Sequence, residues 1–417
     1  MKVLLVTRHF PPGGGGGVQR PLKFASHLPA LGIETHVLAP ELPGAAAGDA
    51  ELELPTQAWI HRVRYVGPRS GRPAERLQAK QGLARVGTQA GLIGRRLLVP
   101  DENVPWSTVA LPFAIRLVRR EGIDVVLTTS PPPSLHLLGA AVKRTTGAAW
   151  VADLRDPLTS HPHRRGYESQ LARIKEGAVG GVARLVASKA DAIVAASDAI
   201  AEEMRARNPM GKVVTIANGC DFDDFAGLEQ HRSDRLRITH AGHFHGKRDP
   251  KPFFRALAES GLDDVVARFA GDFRAADREY AESLGLGDRV ELLGDVSRRR
   301  SLELQRDSEA LLLLIPQSGG RGRGVVTGKI YEYLAAERPI LAAVPPDGAA
   351  AELVRDTGAG VVVDSDDVEA MRQALLDLHR RWREGRLNGT PLSADWRERL
   401  SRGARVEELA DVLRSVA

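Results

Sequence analysis

Short unbroken apolar runs recur along the chain, each too brief for a helix and each followed by a stretch of helical periodicity. In the first half they are Val3–Val6, Thr35–Leu38, Val125–Thr128, Trp150–Ala152, Ala192–Ala195 and Val213–Ile216. The pattern then restarts with Ile238–Ala241, Ala267–Ala270, Val290–Leu292, Ala310–Leu314, Ile340–Ala343 and Gly360–Val363. Runs that do not alternate in polarity suit strands covered on both faces, as in parallel sheets flanked by helices. One such helix is expected from Gln19 to Leu31, where Leu22, Ala25 and Leu28 share a face. Two doubly wound α/β sheets in succession are the simplest fold, and 417 residues is a natural length for two domains. The expected division is 1–225, 226–395, and a C-terminal helix over 396–417 that packs back on the first domain. The polar stretch Asp221–Arg235 is the expected linker.

Composition narrows the partners. Apolar residues make up 43% and charged residues 27%, ordinary values for a globular protein, and the net charge is +5. That excess suits anionic ligands such as nucleotide diphosphates. Nucleic acid is not expected, because no run of Lys and Arg is interleaved with aromatics. The single cysteine, Cys220, excludes an intrachain disulfide and a cysteine zinc site. The opening MKVLLVTRHF reads as a strand rather than a leader, and no run approaches the roughly 20 apolar residues of a membrane span. A cytoplasmic location is therefore expected. Segment 69–98 carries seven Lys or Arg against one Glu, with Leu83, Val86, Ala90, Ile93 and Leu97 at helical spacing. It is either a helical excursion on the first domain or a peripheral contact with an anionic membrane surface.

Three stretches carry chemistry. After the first strand, Gly13–Gly17 let backbone approach a ligand and lead to a helix N-terminus, where free amides favour an anion. A dinucleotide fingerprint fits poorly: Arg8–Pro12 separate loop from strand, and Glu34 precedes the second strand instead of ending it. In ITHAGHFHGKRDPKPFF, the cations Lys247 and Arg248 are placed to neutralise a diphosphate, flanked by His243 and His245. In TGKIYEYLAAERPIL, Lys329 lies near a helix start and Glu332 is one turn on, suited to ribose hydroxyls. Metal dependence is not expected. Asp221–Asp223 and Asp364–Asp366 spell D-x-D but do not follow strands that face the expected cleft, and His161 and His163 lack a third ligand nearby.

Together these stretches resemble family-four glycosyltransferases of the GT-B fold, in the bacterial branch that builds surface glycans and glycosides. The likeness runs through VTRHFPPGGGGGVQR, TTSPPPSLHLLG, VADLRDP, ADAIVAASDAIAEEM, VTIANGCDFDDF, AGHFHGKRDP, VELLGDVS and TGKIYEYLAAERPIL in that order, and covers nearly the whole chain. It implies a nucleotide-sugar donor in an interdomain cleft and transfer to a hydroxyl acceptor with retention. It implies that Gly15, Gly16 and Gly17 lie by the donor and that Lys247, followed by Arg248, binds phosphate. Glu332 matches the second glutamate of the E-x7-E motif, which holds ribose, and the backbone around Leu293–Val296 frames the base. Gly324 stands where the first glutamate is usual, and Thr129 and Ser130 occupy a loop where relatives often carry a histidine.

No residue is assigned as catalytic. Arg155 and Asp156, after the strand at Trp150, are the first-domain candidates, for orienting an acceptor rather than as nucleophile. A retaining transfer without an enzyme nucleophile relies on positioning and on stabilising the leaving diphosphate. A nucleotide-sugar epimerase of the same fold and a non-catalytic sugar-nucleotide-binding protein are the alternatives, with an NAD oxidoreductase behind them.

Overall fold

The computed structural model describes residues 1–13, 16–41, 53–67, 98–160, 170–244, 248–316 and 323–417. The described residues group into two compact units, one running up to Ile216 and including Val406–Ala417, the other Ala217–Arg405.

The first unit contains β1 (Lys2–Val6), α1 (Gln19–His27), β2 (Glu34–Glu41), β3 (Trp59–Arg64) and α2 (Val104–Glu121). It continues with β4 (Val125–Ser130), α3 (Ser134–Thr146), β5 (Ala149–Leu154), α4 (Gln170–Lys189), β6 (Ala192–Ala195), α5 (Asp198–Arg205) and β7 (Lys212–Thr215). The strands form one parallel sheet in the order β3-β2-β1-β4-β5-β6-β7. Central strands β1 and β4 are buried almost throughout, which explains the apolar runs Val3–Val6 and Val125–Leu127 within them. Strand β3 was not among the expected strands. Its sequence, WIHRVR, mixes apolar and polar residues because it lies on the sheet edge, with Trp59 62% exposed.

The second unit repeats the plan. It holds β8 (Leu236–Ala241), α6 (Lys251–Glu259), β9 (Val265–Ala270), α7 (Ala275–Ser283), β10 (Val290–Gly294), α8 (Arg298–Arg306), β11 (Ala310–Leu314) and α9 (Gly328–Ala336). Strand β12 (Ile340–Ala343), α10 (Ala349–Asp356), β13 (Gly360–Val363), α11 (Val368–Arg383), α12 (Ala394–Leu400) and α13 (Arg402–Val416) follow. Its sheet is again parallel, in the order β10-β9-β8-β11-β12-β13. In each sheet the strand order reverses once, between β1 and β4 and between β8 and β11. The carboxyl ends of strands at such a switch point are where doubly wound folds leave a crevice for ligands.

Two details differ from the sequence reading. The chain enters the second unit after Ile216 rather than at 225, because Cys220 and Phe225 pack into the second unit's core. Residues 221–235 thus belong to that unit and are not a free linker. The helical pattern from Trp396 is two helices, not one. Ser401 leaves the helix with an extended backbone (ψ 138°), bridges to Cys220, and its Oγ accepts the Ala404 amide. From there α13 places Val406, Leu409, Ala410 and Leu413 in the first unit's core. Segment 69–97 lies outside the described residues, as do Gly14, Gly15, His161, His163, His245 and Lys247.

Candidate active site

In the second unit, the ends of β8, β9 and β10 each pass through a glycine at positive φ: Gly242 at 126°, Gly271 at 123° and Gly294 at 66°. Their backbones interlock, Gly242 N–H donating to Ala270 O and Gly271 N–H to Gly294 O, both at 2.6 Å. A side chain at Gly242 would collide with the Cε and Nζ of Lys329, so the glycine makes room for that lysine. Lys329 is near the start of α9, and Glu332 and Tyr333 follow at i+3 and i+4 on the same face. Tyr333 is fully buried; its hydroxyl accepts the Ala241 amide at 2.8 Å and fixes α9 against the end of β8.

The electrostatics here are unusual. Burial and the neighbouring Arg248 guanidinium pull the Lys329 ammonium down to about 7, against a partial opposing pull from Glu332. Among the described residues no carboxylate lies in ion-pair contact with Lys329. Beneath it, His240 donates from Nδ1 to Leu312 O at 2.8 Å, and burial, Lys329 and Arg248 hold its ring neutral. Helix α9 starts from Thr327, whose side chain does not cap it, and the Ile330 amide donates to the Thr327 carbonyl at 3.2 Å.

The sequence-predicted donor residues divide. Lys329 and Glu332 are brought together. Glu332 is held: Arg298 Nη1 donates to its Oε1 at 2.7 Å and Gln305 Nε2 to its Oε2 at 3.3 Å. Arg248 is buried and turned inward, with Nε on Leu314 O at 3.1 Å and Nη1 on His243 O at 2.7 Å. Those bonds tie Arg248 to the end of β11 and to His243. His243 sits at the same end; its Nδ1 accepts the Asp272 amide at 3.1 Å, and Asp295 Oδ1 lies 3.3 Å from the same nitrogen. A backbone amide always donates, so Nδ1 is the acceptor and the Asp295 contact is secondary.

In the first unit, the loop after β1 and the start of α1 meet the end of β5. Arg155 Nη1 donates to Gly17 O at 2.7 Å, and a side chain at Gly17 would sit 3.1 Å from the His9 ring and 3.2 Å from Arg155. Gly16 faces open space. Asp156 is half-exposed, 3.9 Å from Arg155. His9 was not among the sequence candidates; burial, Arg155 and Arg8 drive its imidazole down to about 3, so the ring is neutral. Also missed was the buried pair Arg20–Asp153 (2.7 Å), completed by Thr129 Oγ1 donating to Asp153 Oδ2 at 2.7 Å. This network locks the first turn of α1 to β4 and β5 and thereby holds the exit of the glycine loop. Among the described residues, no group of three or more His, Cys, Asp or Glu is set to hold a metal ion.

Two parallel doubly wound sheets in one chain, each with polar side chains gathered at its switch point, define the GT-B class of glycosyltransferases. The chain belongs to glycosyltransferase family 4, whose model matches residues 14–224, and residues 235–381 match the model described as glycosyl transferases group 1. It is thus an enzyme that moves a sugar from a nucleotide diphosphate donor to an acceptor. Compared by sequence with curated proteins, it matches none. Solved structures share its fold. Anabaena HepE in complex with UDP-glucose is 15% identical with a TM-score of 0.66, all of both chains being covered. Sucrose-phosphate synthase from Thermosynechococcus elongatus is 14% identical with a TM-score of 0.65, over 100% of this chain and 98% of that one. The putative UDP-N-acetylglucosamine 2-epimerase from Listeria monocytogenes is more distant, 13% identical at a TM-score of 0.54, over 99% and 96%.

Proposed function

We propose that the donor's nucleoside diphosphate binds at the β8–β11 switch point of the second unit. Lys329 and the N-terminus of α9 meet the phosphates, Glu332 accepts from ribose hydroxyls, and the backbone around Leu293–Val296 borders the base. Lys247, read from the sequence alone, adds a second phosphate cation, while His243 and Arg248 shape and charge the loop between them. The observation that carries this reading is Lys329: an ammonium packed beside another cation, with no contacting carboxylate among the described residues, is costly unless an anion is to arrive.

On the first unit, Gly15, Gly16 and Gly17 approach the donor, and Arg155 and Asp156 orient a hydroxyl of a glycan, lipid-linked or small-molecule acceptor. Transfer goes with retention. The bond from C1 to the leaving phosphate oxygen breaks, the acceptor oxygen bonds C1 on the same face, and its proton passes to the leaving diphosphate. Protein cations supply the charge neutralisation that a metal gives in other transferases, so activity is expected to survive EDTA. Among the described residues no helix is long and apolar enough to cross a membrane. A cytoplasmic reaction, with 69–98 as a contact for anionic lipid, is the part of the proposal that rests on sequence alone.

The test is to incubate the protein with UDP-, GDP- and dTDP-sugars and follow nucleotide release with a pooled set of hydroxyl acceptors. UDP-glucose comes first, because HepE was solved with it. Release from one donor class, with an anomer of unchanged configuration by proton NMR, is expected. No release from any donor would refute the assignment, and an inverted product would refute the retaining step.

A further inference from the structure

Helix α8 begins Arg298-Arg299-Arg300 with no acid in its first turn. Cations at a helix N-terminus oppose the helix dipole, so helix stability does not explain this choice. Arg299 and Arg300 are exposed and pair with Glu303 on their own helix. Arg298 differs: it is largely buried, with Nη1 on Glu332 Oε1 at 2.7 Å and Nη2 on Asp224 Oδ2 at 2.6 Å. Its guanidinium is held above its ordinary range by those two carboxylates despite burial. Asp224 belongs to the short 3-10 turn Phe222–Phe225, and Gln305 reaches Glu332 from the far end of α8.

We propose that Arg298 is a positioning residue for nucleotide recognition: clamped by Asp224, it aims the Glu332 carboxylate at the ribose of the donor. This rests on the reading that Glu332 accepts from ribose. A carboxylate oxygen offers two lone-pair directions, so one bond from Arg298 and one from Gln305 orient Glu332 and leave acceptor sites for hydroxyls. Planar two-armed contact is what arginine supplies and lysine does not. Selection for a ribonucleotide over its 2′-deoxy counterpart is then a property of the Asp224–Arg298–Glu332 chain rather than of Glu332 alone.

The test is calorimetric affinity for UDP against 2′-deoxy-UDP, and GDP against 2′-deoxy-GDP, in the full-length protein and its variants. Wild type should favour the ribonucleotide of its preferred base by about tenfold or more, the scale of a hydrogen bond to a charged group. Glu332→Ala and Arg298→Met should both bring the ratio near one, with Arg298→Lys between them. General damage to the unit would weaken both nucleotides alike and leave the ratio unchanged. A collapsed ratio in Glu332→Ala with a wild-type ratio in Arg298→Met would overturn the positioning role while leaving the ribose reading intact. A wild-type ratio in Glu332→Ala, or no ribose preference in wild type, would overturn both. If Arg298→Met does not fold, Asp224→Asn decides: a lowered ratio supports the role, and an unchanged one rejects it.

Discussion

Lys329 and Gly242 form one device, since the lysine occupies space that any side chain at 242 would fill. An ammonium held at about 7, against the ordinary 10.5, opposes folding below neutral pH. Between those two values the unfolded chain binds more protons than the folded one, so this residue's contribution to stability rises with pH across that window. Lys329→Met removes the buried charge and keeps most of the volume. It should raise the thermal midpoint at pH 7 by a few degrees in scanning calorimetry, roughly what about 1 kcal/mol gives in a domain of this size. A midpoint lowered by a similar amount would mean that the lysine stabilises the fold and is not reserved for a ligand. Gly242→Ala should act on function instead. It expels the Lys329 side chain and strains a backbone at φ 126°, and donor-nucleotide affinity should fall by about tenfold or more. Unchanged affinity in that variant would separate the glycine from the lysine.

Among the elements, α1 and α8 share a feature: each carries an arginine in its first turn that pairs with a carboxylate remote in sequence. Arg20 pairs with fully buried Asp153, and Arg298 with Asp224 and Glu332. Arg20→Met strands a carboxylate in the core, which typically costs about 3–5 kcal/mol. Urea titration followed by a first-unit probe such as Trp150 should show that loss; a change below about 1 kcal/mol would mean that Asp153 finds another partner. These pairs also mark where sequence reading stops. Central strands were legible because burial on both faces leaves an unbroken apolar run, and α1 because Leu22, Ala25 and Leu28 keep helical spacing. Strand β3 was not, since one wet edge gave Trp59–Arg64 a mixed pattern. Lys329 and Glu332 were legible as neighbours on one helix turn. Their supports, Gly242, Arg298 and Asp224, are distant in sequence, and only the arginine run without a first-turn acid at α8 hinted at them. Arg248 was legible as a cation beside the loop, but nothing local reveals that its Nε and Nη1 donate to the carbonyls of Leu314 and His243.

For the whole molecule, several histidines are folded in as neutral rings. His136 is held to about 4 by burial, with Thr128 Oγ1 2.9 Å from its Nδ1; His9 is held to about 3, and His240 is also well below its usual range. Unfolded, each takes up a proton near 6.5, whereas in the folded protein His136 does so only near 4 and His9 near 3. The unfolded state thus binds more protons over that interval, and stability falls as pH drops from about 6.5 toward 4. The thermal midpoint should be lower at pH 5 than at pH 7.5, and His136→Gln should flatten the dependence. A midpoint constant between those pH values would contradict the neutral burial of these rings. Family membership and the doubled Rossmann plan say that this chain transfers sugars; that it grips the donor at Lys329 is the proposal to be tested. The most direct test is titration calorimetry of UDP and GDP at pH 8 in two buffers of different ionisation heat, on wild type and Lys329→Ala. The account predicts proton uptake on binding to wild type, as the diphosphate draws the ammonium's proton back. In the variant it predicts loss of that uptake and about tenfold or more weaker affinity. Equal affinity and equal proton uptake in the two proteins would contradict it.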